Sequence, residues 1–195
     1  MKILACQPDI LWENPAANHT RVEAMLAQTA IEPGSLLILP EMFASGFSMN
    51  VAAVAEDNPS PTEAFLAGLA TRHSVHILAG VAKKAQPPKA YNQAVAFDPQ
   101  GRVIARYAKL HPFSYARETD HYLPGDRLVH FIWNAMTITP LICYDLRFPE
   151  AFRAAVLART DLFAVIANWP TPRLDHWITL LRARAIENQA WVVGV

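Results

Sequence analysis

The chain has 195 residues, 52% of them hydrophobic and 17% charged, enough for one packed core and short for two. Its 17 Lys+Arg balance 17 Asp+Glu, which removes the net field that would draw a protein to nucleic acid or an anionic membrane. Two cysteines, Cys6 and Cys143, make no disulfide framework, and the N-terminus has neither a secretory signal nor an apolar run of spanning length, so a reducing cytoplasm is expected.

Residues 2–7 read as a strand. Asn14-Pro15 supplies a cap and a proline at the first helical position, opening a helix to about residue 31. Leu36 to Leu39 is a short strand, apolar throughout and therefore buried on both faces. Residues 42–59 form a loop whose Phe43, Gly46, Phe47 and Met49 are apolar for a surface connection. Ser60-Pro61-Thr62-Glu63 has capping-box spacing and starts a second helix through about His73. Val75 to Ala82, Tyr91 to Phe97 and Arg102 to Tyr107 are three successive strands. Gln86-Pro87-Pro88-Lys89 and Asp98-Pro99-Gln100-Gly101 supply turn chemistry between them, which predicts a meander.

A polar loop over 109–127 leads to a strand at Leu128–Trp133, a tight turn at Asn134-Ala135 and a strand ending at Cys143. Phe148 to Ala158 is helical, Leu162 to Ala167 a strand, and Leu174 to Asn188 a helix. In that helix Leu174, Trp177, Ile178, Leu181 and Ala185 form a stripe assigned to core packing. Trp191 to Val195 reads as a last strand. No repeat, low-complexity tract or interdomain linker interrupts the chain. Helices alternate with strands at both ends while hairpins join the middle, which predicts an α/β layered fold with mixed sheets.

Three chemically capable residues stand at strand ends. Cys143 closes an apolar run and enters a polar turn, Glu41 follows Leu36-Leu37-Ile38-Leu39-Pro40, and Lys109 follows Val103–Ala108. A free thiol is mostly protonated at neutral pH, with an ordinary pKa of about 8.5, so a nucleophilic cysteine needs a base or a positive charge beside it. Glu41 can be that base, and Lys109 can supply charge or hold a developing oxyanion. Each has an ordinary explanation on its own, and spacing does not establish that they meet. His176 and His130 are alternative partners for Cys143. The pairs His73/His76 and His111/His121 lack the companions of a zinc motif, so no metal and no cofactor are expected.

Leu39-Pro40-Glu41-Met42-Phe43, Lys109-Leu110-His111-Pro112-Phe113 and Cys143-Tyr144-Asp145-Leu146-Arg147-Phe148-Pro149-Glu150 resemble, in content and order, the three signature segments of the nitrilase (carbon–nitrogen hydrolase) superfamily. Ala5-Cys6-Gln7-Pro8-Asp9 is similar to that family's first strand. Glu41 to Met49, Ala167-Asn168-Trp169-Pro170 and Arg182 to Gln189 resemble its omega-amidase branch.

The resemblance implies one carbon–nitrogen hydrolase domain over 1–195, a four-layer α-β-β-α sandwich of two mixed sheets, and homodimers. It implies Glu41 as general base, Lys109 as oxyanion stabiliser, Cys143 as nucleophile and Glu118 as a second glutamate positioning Lys109 or the substrate. The Tyr144 backbone N–H is expected to join the oxyanion site. Phe43, Phe47 and Trp169 are expected to wall the pocket, and Arg147 or Arg173 to bind a substrate carboxylate; an ion pair of Arg147 with Glu150 or another acid is the structural alternative.

The implied activity releases ammonia from short linear carboxamides, such as the 2-oxo dicarboxylic monoamide 2-oxoglutaramate, through a cysteine thioester. The same thioester serves nitrile hydrolysis and acyl transfer, and a non-catalytic scaffold is the alternative outside enzymes. Family members normally continue past the Val195 strand, so the resemblance also implies a chain that stops before the usual C-terminal segment.

Overall fold

The computed structural model of the chain describes residues 2–195. Its elements are β1 (Ile3–Ala5), α1 (Pro15–Ala27), β2 (Leu36–Ile38), α2 (Val51–Val54), α3 (Pro61–His73), β3 (His76–Lys84), β4 (Ala90–Phe97), β5 (Val103–Ala108) and α4 (Glu118–His121). They continue with β6 (Phe131–Trp133), β7 (Met136–Ile142), α5 (Pro149–Val156), β8 (Leu162–Ile166), α6 (Leu174–Asn188) and β9 (Trp191–Gly194). Asn14 caps α1 by accepting from the Ala17 N–H (3.2 Å), and Ser60 caps α3 by accepting from the Glu63 N–H (3.1 Å). Glu63 does not return the bond that a full capping box needs; its carboxylate pairs with Arg106 instead.

One sheet has the order β1-β2-β3-β4-β5 and the other β6-β7-β8-β9. In the first, β1, β2 and β3 are parallel and β4 and β5 complete the predicted meander. In the second, β6 and β7 form a hairpin and β7, β8 and β9 are parallel. Asn134 and Ala135 both have positive φ (48° and 66°), the backbone sense that a two-residue hairpin turn requires.

The two-residue period of β2 shows how the layers are assembled. Leu36 and Ile38 point into a core shared with Phe131, Trp133, Ile138 and Ile142 of the second sheet. Leu37 and Leu39 point the other way, against Val22 and Leu26 of α1 and Leu66 and Leu69 of α3. Phe152 of α5 packs on Phe163 of β8 (4.8 Å between ring centroids), and α6 lies against β9. The order of layers is thus α-β-β-α, as expected.

The α6 stripe departs from expectation. Leu174 and Ile178 are exposed and Trp177, Leu181 and Ala185 only partly covered, whereas Arg184 and Asn188 are the buried residues of this helix. Arg184 donates twice to the Leu146 carbonyl (2.9 and 3.1 Å), and this bond, not apolar packing, takes it inside. Periodicity identified an apolar face without showing what covers it.

Candidate active site

Strand direction explains why distant residues converge. β2, β3 and β5 run the same way and β4 runs against them, so the ends of β2 and β5 and the start of β4 share one edge of the sheet. Glu41, Lys109 and Asn92 lie along that edge. The end of β7 brings Cys143 to them from the facing sheet.

Glu41 is placed by the backbone of β3. Gly80 N–H donates to the Pro40 carbonyl (3.1 Å) and Phe43 N–H to the Gly80 carbonyl (3.3 Å). The approach tolerates no side chain at residue 80, where a Cβ would lie 2.5 Å from Glu41 Cα and from the Met42 nitrogen. Glu41 Oε1 accepts from Asn92 Nδ2 (2.7 Å) and Lys109 Nζ (2.9 Å), and Oε2 accepts from the Asn168 N–H (2.8 Å). Lys109 also donates to Glu118 Oε2 (2.9 Å), which the Phe113 N–H reaches as well. The predicted second glutamate is therefore in the cluster, with no exposure, as is Glu41.

Cys143 sits in the left-handed region with φ 47°, a conformation that costs a non-glycine residue about 1–3 kcal/mol. It opens a 3-10 turn, Cys143–Arg147, which precedes the predicted helix. Asp145 anchors that turn. It is fully buried and accepts from the Ile142 N–H (2.9 Å), the Tyr107 hydroxyl (2.7 Å) and the His111 N–H (2.9 Å), and meets His111 Nδ1 at 2.8 Å. One carboxylate thereby ties the Cys143 turn to the segment that carries Lys109.

Burial first, and the Glu41 carboxylate second, push the Cys143 thiol well above its ordinary value, with Lys109 pulling the other way. The resting group is a neutral thiol beside a carboxylate. For Lys109, burial opposes the charge, but the Glu41 and Glu118 carboxylates outweigh it and the ammonium is held above its usual range. Burial also raises Glu118, with Lys109 opposing and Glu41 reinforcing the shift.

Above the cluster opens a cavity of about 610 Å³, with Cys143, Tyr144, Phe47, Trp169, Arg147 and Arg173 among its lining residues. Lys109 Nζ lies 5.1 Å from the centre of the Phe47 ring. Arg147 stacks over Trp169 (5.1 Å) and donates to His176 Nδ1 (3.2 Å), so its partner is not Glu150. Arg173 lies over Phe113 (5.9 Å). No acidic side chain lines this cavity, and neither arginine meets a carboxylate among the described residues. Phe43 is the exception among the expected wall residues. It is fully buried below the cavity against His19 and Phe65, because the chain turns at Met42 (φ 46°) and sends it toward the α1/α3 side.

His130 is engaged with Thr139 (2.7 Å) and His176 with Arg147, and the carboxylate beside the thiol is that of Glu41. No group of three or more His, Cys, Asp or Glu side chains among the described residues is arranged to hold a metal ion. Sequence reasoning missed Asn92, Asn168 and Asp145 as site residues. The available signal was chemical: an Asn-Gln pair inside the apolar β4 and an Asp two residues after the thiol both need buried partners.

The sequence model of the carbon-nitrogen hydrolase family matches residues 2–195. The 2-oxoglutaramate amidase of Bacillus subtilis is 33% identical over 193 residues, covering 98% of this chain and 74% of that protein. Omega-amidase YafV of Escherichia coli K12 is 38% identical over 196 residues, covering 100% and 73%. A CN-hydrolase superfamily protein of Xanthomonas campestris, solved with an arsenic adduct in its active site, superposes with a TM-score of 0.87 at 35% identity over 99% of this chain and 74% of that one.

Proposed function

The chain belongs to the carbon–nitrogen hydrolase family, and from that premise we propose that it is an omega-amidase releasing ammonia from short 2-oxo dicarboxylic monoamides such as 2-oxoglutaramate. The observation that carries the reading is the meeting of Glu41, Lys109 and Cys143, the last of which lines a cavity whose wall holds two arginines and no acid. Such a wall suits a small amide with a carboxylate at its other end.

In this mechanism the Cys143 sulfur bonds to the amide carbon while its proton passes to Glu41 and the carbonyl electron pair moves to oxygen. Lys109 and the Tyr144 N–H hold that oxyanion; N–H groups at the start of a helical turn lack acceptors within it. Collapse expels the amine, Glu41 returns the proton to it, and ammonia leaves a thioester. Water then adds, again losing its proton to Glu41, and the departing sulfur takes that proton back as the acid is released.

Phe47 and Trp169 form the apolar sides of the pocket, and Glu118 positions Lys109. A cytoplasmic homodimer completes the proposal. In its support, no helix among the described residues is long and apolar enough to cross a membrane, and Leu157, Ile186 and Trp191 stand exposed for a partner.

The test is ammonia release over 2-oxoglutaramate, 2-oxosuccinamate, glutamine and a simple nitrile. The 2-oxo monoamides are expected to lead, and Cys143→Ala to abolish turnover. Release by Cys143→Ala at the wild-type rate overturns the mechanism, and preference for the nitrile overturns the substrate class.

A further inference from the structure

Glu41 must take and return a proton, and its two oxygens are not equivalent. Oε1 already accepts two bonds, from Asn92 and Lys109. A carboxylate oxygen offers about two lone-pair sites, so Oε1 is filled. Oε2 accepts from the Asn168 N–H alone and keeps one site free. It lies on the Asn168 side of the cluster, where Cys143 Sγ also sits, 4.0 Å from the Asn168 carbonyl oxygen.

Asn92 also donates to Glu118 Oε1 (2.9 Å), while Lys109 reaches Glu118 Oε2 (2.9 Å). The four side chains close a ring in which each donor bridges both acids, and none is more than 1% exposed. The amide orientation follows from this ring, because the reversed amide would turn its carbonyl onto two carboxylates. Its own Oδ1 is left without a partner, which a residue kept for packing alone has no reason to tolerate.

We propose that Asn92 is a positioning residue of the hydrolase, filling Oε1 of Glu41 so that proton transfer runs through Oε2, and bridging Glu41 to Glu118 so that two buried carboxylates stand over one ammonium. The inference rests on the amidase reading for the role of Glu41 and deepens it. The titratable groups facing the carboxylate pair are Lys109, Cys143 and Tyr122.

A test independent of turnover uses methyl methanethiosulfonate, read by peptide mass at Cys143. The sulfur forms a disulfide, methanesulfinate leaves, and the thiol proton goes to Glu41. The rate falls on the acid side as the base is lost. In Asn92→Leu this limb moves to higher pH by about one to two units, the size of a hydrogen bond to a charged acceptor. In Asn92→Asp, which keeps the shape but replaces a donor with a third acid, it moves the same way.

A limb at the wild-type position in the folded variants, with only a uniform loss of rate, overturns the proposal. So does loss of folding by both variants in circular dichroism, which assigns Asn92 a structural role. If Asn92→Leu alone fails to fold, Asn92→Asp decides. Because no amide is hydrolysed, the result stands even if 2-oxoglutaramate proves not to be the substrate.

Discussion

Lys109→Met removes the ammonium shared by two fully buried carboxylates and keeps most of the side-chain volume. Breaking a buried ion pair from one side costs about 3–5 kcal/mol, a large share of the roughly 5–15 kcal/mol that holds a domain folded. The sign of the pH dependence follows from which state keeps a proton. Without Lys109 the two carboxylates repel, and Glu118, which burial already raises, retains its proton to higher pH than in the unfolded chain, where a glutamate releases it near about 4.3. Within that window the native state carries a proton that the unfolded state has lost, so stability falls as pH rises, by about 1.4 kcal/mol per unit.

Urea unfolding of wild type and Lys109→Met near pH 8 and again near pH 5.5 measures this directly. The deficit is expected to be about 3–5 kcal/mol at the higher pH and smaller at the lower, with an unchanged dependence on urea. A deficit under about 1 kcal/mol at both values, or one that grows toward acid, refutes the account of Lys109 as the charge that makes this cluster tolerable.

Two further outcomes follow from the same geometry. Arg147→Met and Arg173→Met are expected to raise KM for 2-oxoglutaramate by roughly ten- to a hundredfold, the worth of a hydrogen bond to a charged group, while leaving a neutral amide such as butyramide little changed; equal losses on both substrates would argue against carboxylate binding. Gly80→Ala places a Cβ 2.5 Å from backbone atoms of Glu41 and Met42 that cannot swing aside, so Glu41 must shift. A fall in kcat on the order of a hundredfold is expected, together with about 1–3 kcal/mol of stability in thermal or urea unfolding; unimpaired turnover would show that the placement of Glu41 is not set by β3.

Much of this was legible in the sequence because strand ends and caps are local. The ends of α6, the Ser60 cap, the Asn134-Ala135 turn and the strand-end positions of Lys109 and Cys143 each depend on a few neighbouring residues. What depended on the opposite face of an element was not legible. Phe43 and Phe47 are four residues apart in one loop, yet one is core and the other cavity wall, with positive φ at Met42 before them and at Gly46 between them. The α6 stripe carried the right period, but of its residues Trp177 and Leu181 pack on the core while Leu174 and Ile178 stand exposed. Asn92 was hidden for another reason: an amide in a strand of Ala, Val and Phe resembles ordinary alternation until its partners from residues 41 and 118 are seen.

The raised thiol also bears on the order of events. A cysteine poised as a thiolate by neighbouring cations has already lost its proton, and an amide is a poor leaving group unless a proton reaches its nitrogen. Here burial and Glu41 together outweigh Lys109, so the proton stays on sulfur until attack. Under the proposed mechanism it then resides on Glu41 at the moment the C–N bond breaks. The feature that makes Cys143 a weak nucleophile at rest thus keeps in the site the proton that ammonia needs in order to leave.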